Sequence, residues 1–339
     1  MTRIAERTPP PLPAAQIELL VADIGGTHAR FALAELSANA APVLHDIRKL
    51  AVAEFANLPA AVLSYTDQIH RDLPDRAVFA IAAPIRGEEV RFTNNDWRIR
   101  PADLPSELGI GSIMLLNDLE ASAHAAASLE SDSFMHIGGP EGSLEKAHSI
   151  SVIGIGTGLG VAGILRDETG SHILATEGGH AGFAPVDSFE DALLSHLRRE
   201  HGRVSAERVA AGMGLRPFME VLAAERGQMV ADRDDKSLWQ SALSGSDPLA
   251  VAARDRYLLC LGSIAGDIAL MHGPGPVILT GGLGARLAPY LAGSGFMQRF
   301  VAKGRYQDLM QTLPVKLMQH EEPGLFGAAA AFFRRQCPL

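Results

Sequence analysis

The first patterned stretch of the chain is LLVADIGGTHARFAL, Leu19 to Leu33, where an apolar run ends in a lone acid, passes two glycines and a threonine, and resumes. Short apolar runs bounded by turn residues mark strands, and two runs flanking a glycine pair mark a hairpin. The pattern predicts strands at Ile17–Ala22 and Ala29–Glu35 joined through Gly25-Gly26, a third strand at Val43–Leu50, and an amphipathic helix at Leu58–Asp72. Further strands follow at Arg76–Ala83, Glu89–Phe92 and Ser112–Leu116, and a helical pattern runs from Leu119 to Leu129. After a Gly/Ser-rich and charged stretch, Ser131–His148, the opening theme returns. Ser149–Ile155 reads as a strand, Gly156-Thr157-Gly158-Leu159-Gly160 as its turn, and Val161–Leu165 as the segment leading away. Helices are expected at Asp187–Glu200, Pro248–His272 and from Pro323 onward, with a last buried strand at Pro276–Leu279. A strand-hairpin-strand unit that occurs twice, with helices between, predicts two related α/β halves.

Composition narrows the class. A chain of 339 residues, at roughly 150 residues per domain, favours two domains. A net charge of -9 argues against a nucleic-acid surface. Cys260 and Cys337 are the only cysteines and are read as free thiols of a reducing compartment. No apolar run reaches the ~18 residues of a membrane-spanning helix. The leader MTRIAERTPPPLPAAQ lacks the apolar core of a signal peptide, and its prolines suggest disorder over residues 1–16.

Three strands end in glycine-rich turns that also carry a hydroxyl residue: Asp23-Ile-Gly-Gly-Thr27, Gly154-Ile-Gly-Thr-Gly-Leu-Gly160 and Thr280-Gly-Gly282. Glycine tolerates positive φ and lets backbone N–H groups approach an anion, so a nucleotide polyphosphate is the economical ligand. Each turn taken singly could be a plain hairpin. No glycine precedes a lysine, which excludes a Walker P-loop, and the Gly154–Gly160 run lacks the Rossmann spacing and leads into a strand. Without a P-loop lysine, phosphate charge falls to backbone dipoles and a metal. Mg2+ takes phosphate oxygens plus one or two carboxylates, usually through water, which gives Asp23 its use at the end of a buried strand.

A second set of residues is polar and acid-rich. Asn117-Asp118 follows a strand and precedes a helix, where it reads either as a helix cap or as a base at the carboxyl end of a sheet. Glu177-Gly-Gly-His180 has carboxylate–histidine spacing, but its glycines disfavour a helix and no companion ligands exist. It suits hydroxyl recognition better than a metal. Glu207 in Ser205-Ala-Glu207 could be a first-turn acid, and Thr93-Asn94 before Asp96-Trp97 could be a turn. Together these groups fit a neutral polyol such as a sugar; an acidic substrate would call for arginines.

These residues resemble the bacterial glucokinase family of the proteobacterial type. The resemblance runs in order from about Ile17 to Phe333. It rests on Asp23-Ile-Gly-Gly-Thr-His-Ala-Arg30, Thr93-Asn94 with Trp97, Leu116-Asn-Asp118, Gly156-Thr-Gly-Leu-Gly160, Glu177-Gly-Gly-His180, Val204-Ser-Ala-Glu-Arg208 and Pro323-Gly-Leu325. It implies an α/β, actin-like ATPase (ribonuclease H-like) fold of two α/β domains with a sugar cleft between them. The expected division is a small domain of residues 17–127 plus 320–339 and a large domain of residues 128–319. It implies ATP:D-glucose 6-phosphotransferase activity with Mg2+, in the cytoplasm, usually as a homodimer, with no nucleic acid or membrane partner. By resemblance Asp118 is the catalytic base, and Asn94, Asn117, Asp118, Glu177, His180 and Glu207 hold the sugar. Ala22, Asp23, Ile24, Gly25, Gly26, Thr27, Gly156, Thr157, Gly158, Gly281 and Gly282 surround the nucleotide, and Asp23 holds Mg2+ through water. His28 stands where the family has asparagine, and Glu120 stands where it has a small polar residue. Two distant cysteines cannot make the zinc motif of the ROK kinases, which points to the zinc-free branch. Two competing readings are a same-fold kinase for another hexose or amino sugar, and a non-catalytic sugar sensor, which would need a DNA-binding module.

Overall fold

The computed structural model describes residues 17–37, 40–85, 87–92 and 95–336. The leader, Asn94 and Cys337 therefore lie outside the described residues. Among the described residues the chain divides into two compact units: one lies within residues 17–129, 167–173 and 320–336, the other is made of residues 130–166 and 174–319.

The first unit is built on a five-stranded sheet. Its strands are β1 (Ile17–Ile24), β2 (His28–Ser37), β3 (Ala40–Ala51), β4 (Arg76–Ile81) and β7 (Ser112–Asn117), with a separate small ribbon of β5 (Val90–Arg91) and β6 (Arg98–Ile99). The order is β3-β2-β1-β4-β7; β1 pairs antiparallel with β2, and β1, β4 and β7 run parallel. Helices α1 (Leu58–Ile69), α2 (Leu104–Leu108) and α3 (Asp118–Ala126) belong to this unit. Because a strand alternates its faces, Leu20, Ala22 and Ile24 enter one core with Leu58, Val62 and Tyr65 of α1, while Leu19 and Val21 enter another. Burial on both faces explains the nearly unbroken apolar run of β1.

The second unit repeats the arrangement. Its six-stranded sheet, in this unit apart from residues 167–173, has the order β11-β10-β9-β12-β13-β8, from β8 (Phe134–Gly138), β9 (Ser149–Ile155), β10 (Leu159–Asp167), β11 (Gly170–Thr176), β12 (Val277–Thr280) and β13 (Val315–Met318). Here too a hairpin, β9 with β10, is followed by strands β12 and β13 parallel to its first member. Helices α4 (Ser188–His201), α5 (Ala206–Ala210), α6 (Leu215–Glu225), α7 (Asp235–Ser244), α8 (Pro248–Met271), α9 (Gly282–Leu291), α10 (Phe296–Val301) and α11 (Gln307–Gln311) enclose a large core centred on α8. The two sheets are thus related halves, with β8 as the addition at one edge.

The chain then returns to the first sheet as α12 (Pro323–Gln336), whose Leu325, Ala328, Ala329 and Phe332 pack on Leu19, Val21, Val78 and Ala80. Small residues on both α3 and α12 let the two helices approach closely on this face. Glu120 of α3 is explained here: Arg335 of α12 donates to it at 3.0 Å. Among the described residues no helix is long and apolar enough to cross a membrane.

Candidate active site

In the first unit the parallel register brings three strand ends level. Ile24 pairs with Ile81, and Ile81 pairs with Asn117. The turn after β1 and the start of α3 after β7 therefore share the carboxyl edge of one sheet, where α/β proteins build ligand sites. Asn117 caps α3, its Oδ1 accepting from the Leu119 N–H at 2.9 Å and the Glu120 N–H at 3.4 Å. Asp118 stands in the first turn, and its Oδ1 accepts from the Leu119 N–H at 2.8 Å. The two readings of this dipeptide are compatible, since the amide side-chain oxygen serves the helix and the acid follows it.

Asp23 is the last polar residue of β1 and faces α12. A methyl group on Gly324 would lie 2.7 Å from its Cγ, so any side chain there would displace the carboxylate. Across the hairpin Asp23 pairs with Arg30, whose Nη1 donates to Oδ2 at 3.1 Å while its Nε lies 3.2 Å from Glu322 Oε2. Burial pushes the Asp23 carboxyl above the ordinary carboxylate range, and Arg30 pulls it back. Glu322 is raised in the same way, by burial first and by the neighbouring Asp23 to a smaller degree, with Arg30 opposing. Neither Arg30 nor Glu322 was given a role from sequence. Arg30 could have been found by folding the hairpin about its glycines, which sets it opposite Asp23; Glu322 carries no local signal.

The turn itself is exposed at Thr27 and His28, and the Thr27 hydroxyl and the His28 Nδ1 lie 3.1 Å apart. Ala22 and Ile24 are fully buried and paired with strands on both sides, so neither offers an exposed atom at the turn. One expectation about the glycines needs correction. Among the described residues, Gly281, at φ 92°, is the only glycine of the three turns with positive φ.

In the second unit β9 ends at Ile155, and the three-residue turn closes with the Gly156 N–H donating to the Gly158 carbonyl at 3.0 Å. Gly281 packs on this end: a methyl there would lie 2.5 Å from the Ile155 carbonyl oxygen. Helix α9 starts at once with no side-chain cap on its first N–H groups, an arrangement suited to an anion. Thr157 is exposed, whereas Thr280 is buried at 4%.

Glu177-Gly-Gly-His180 forms no α-helix, only a single 3-10 turn over Gly178–His180, and its glycines have another use. They are there for contact, since a methyl on Gly179 would fall 1.8 Å from the Leu159 carbonyl oxygen. The tight fit sets the Glu177 and His180 side chains, both exposed, beside the strand that leaves the glycine turn. Glu207 joins them from the first turn of α5: its Oε1 lies 3.9 Å from His180 Nδ1, and its Oε2 accepts the Leu159 N–H at 3.0 Å. The structure thus brings His180, Glu207 and the Gly156–Gly158 turn into one cluster of the second unit, with Glu177 on the adjoining loop. Among the described residues no group of three or more histidines, cysteines or acids could hold a metal ion.

Comparison with known proteins follows the same outline. The Glucokinase family profile matches residues 20–335. A glucokinase of Zymomonas mobilis subsp. mobilis is 46% identical over 316 residues, which cover 93% of this chain and 98% of that one. The crystal structure of a glucokinase from an Antarctic psychrotroph superposes with a TM-score of 0.81 at 33% identity, covering 93% of this chain and 98% of that one. A ROK family glucokinase from Streptomyces griseus, solved with glucose and AMPPNP, shares the fold with a TM-score of 0.63 at 18% identity, covering 94% of this chain and 99% of that one. The chain belongs to the glucokinase family.

Proposed function

We propose that the phosphorylation of glucose by this member of the glucokinase family uses ATP as donor, the 6-hydroxyl as acceptor and Asp118 as the base. The observation that carries this assignment is the level strand ends Ile24, Ile81 and Asn117, which give Asp118 and the glycine turn of β1 one sheet edge. Phosphoryl transfer passes through a loose transition state, so positioning and electrostatics are the main protein contributions. An aspartate carboxylate is a weak base, which suits a hydroxyl proton that leaves late, as the O–P bond forms. Asn117 spends its oxygen on α3, which leaves its NH2 to donate to a sugar oxygen. Asn94, Glu177, His180 and Glu207 complete the proposed sugar set. Backbone N–H groups of Gly25–Thr27, Gly156–Gly158 and the Gly281-Gly282 start of α9 take the phosphates.

Asp23 fits a hydrated Mg2+. It is an acid at the end of the turn strand, partly exposed at 21%, and Arg30 engages its Oδ2 alone. Mg2+ when bound supplies charge neutralisation on the β- and γ-phosphates. Arg30, itself paired with Glu322, holds the Asp23 side chain in place. The family resemblance also supports a cytoplasmic homodimer, which light scattering would check as a mass of two chains.

The test of the function is ATP-dependent phosphorylation of a sugar panel with the product position assigned by NMR. Glucose 6-phosphate is the expected dominant product. Turnover on another hexose alone would overturn the acceptor, and a product phosphorylated elsewhere than C6 would overturn the proposed role of Asp118.

A further inference from the structure

Glu207 serves two neighbours with one carboxylate. Its Oε2 accepts the Leu159 N–H at the base of the glycine turn, and a methyl on Gly158 would lie 2.6 Å from the same oxygen. Its Oε1 faces His180. The segment that carries Glu207 also grips the turn from its other side. The Gly212 N–H donates to the Gly156 carbonyl at 2.8 Å, and Trp239 Nε1 fixes the Gly212 carbonyl at 2.6 Å. On the sugar side, the Ala206 N–H donates to the Ala181 carbonyl at 2.8 Å, Gly182 bridges to Ser205, and Arg203 donates to the His180 carbonyl at 2.7 Å. The His180 loop, the Glu207 segment and the glycine turn therefore form one hydrogen-bonded block within the second unit.

We propose that Glu207 is a positioning residue for the phosphate turn as well as a sugar ligand, and that glucose and nucleotide bind with positive coupling through it. The inference rests on the reading of Glu207 as a sugar ligand. A sugar hydroxyl donating to Glu207 fixes the rotamer that braces the Leu159 N–H. A phosphate in the turn fixes the backbone that receives Glu207. Each ligand orders in advance part of what the other needs, and such coupling amounts to roughly 5–150-fold in affinity and is reciprocal. Gly158 follows from the same argument: its missing side chain is the space in which the carboxylate meets the turn.

Calorimetric titration of the full chain with glucose, with and without AMPPNP and Mg2+, tests this, with each variant checked for folding by circular dichroism. In the unaltered protein AMPPNP is expected to tighten glucose binding at least about fivefold. Gly158→Ala must displace Glu207, so it is expected to weaken glucose about tenfold and to remove the coupling. Gly293→Ala, whose methyl meets nothing within 4 Å and which lies outside this block, keeps its glucose affinity and its coupling. Glu207→Gln still offers an oxygen to Leu159 and retains part of the coupling that Glu207→Ala loses. Glucose affinity indifferent to AMPPNP in the unaltered protein overturns the proposal, as does equal coupling in Glu207→Ala. A folded Gly158→Ala variant with unchanged glucose affinity also overturns the link, and leaves the sugar-ligand reading standing if Glu207→Ala weakens glucose. Glu207→Ala that binds glucose normally removes that reading itself.

Discussion

The two glycine turns occupy the same place in their sheets and are held in opposite ways. The turn after β1 brings its own acid, Asp23, on its own strand, with Arg30 from the partner strand and Gly324 from the closing helix packed against it. The turn after β9 has no acid on its strand; its carboxylate, Glu207, comes from a helix 48 residues beyond Leu159. An acid built into the strand is suited to an ion that travels with the phosphates. An acid recruited from elsewhere can answer to a second ligand, and Glu207 sits between the turn and His180. A repeated topology has thus been given two different chemistries by where the carboxylate originates.

The sharpest stability contrast lies between the glycines. Gly281→Ala is expected to cost about 3 kcal/mol, because φ 92° is strained for a side chain and the methyl meets the Ile155 carbonyl at 2.5 Å. Gly25→Ala meets the His28 carbonyl at 3.5 Å, an ordinary contact, and is expected to cost under about 1 kcal/mol. Urea unfolding of both variants checks the pair, and equal losses would break the contrast.

Arg30→Met isolates the brace of the first turn, leaving Asp23 and Glu322 without their shared cation at a cost of about 2 kcal/mol at neutral pH. Both carboxyls already titrate above their ordinary range, and without Arg30 they rise further. A folded state that holds these protons more tightly than the unfolded chain is favoured at low pH, and that favour is lost as pH rises through the raised values. The variant's deficit should therefore shrink as pH falls from 7 toward about 4, measured by denaturant titration. A deficit that stays constant between pH 7 and about 4 would show that Arg30 does not act through the charges of these two carboxyls.

Smallest is the difference between the helices that carry the acids. Asn117 caps α3 with its side chain, whereas Ser205 makes no side-chain cap bond to α5. Asn117→Ala should cost about 1 kcal/mol in thermal unfolding, and Ser205→Ala should lose no cap contribution.

Much of the first turn was legible because one motif holds its parts together: a carboxylate ending an apolar run, a glycine pair and a resumed strand. The cap at Asn117 was legible for the same reason, being a local bond between neighbours. At Gly178–His180 no α-helix forms, as glycine propensity suggests, but the use of these glycines is the approach to β10, which no local pattern announces. Strands β6, β8, β11 and β13 escaped the pattern. β11 is largely exposed and lacks a clean apolar face, and β13 is only four residues long. The Arg30–Glu322 and Glu207–Leu159 contacts join residues far apart in the chain, so no period or spacing announces them.

The most direct test of the account is the turnover of Asp118→Asn, measured beside its glucose affinity. The substitution keeps shape and removes the base, so kcat should fall by about 10²–10⁴ while glucose binding changes far less. Turnover near that of the unaltered protein would contradict the assignment of Asp118 as the base.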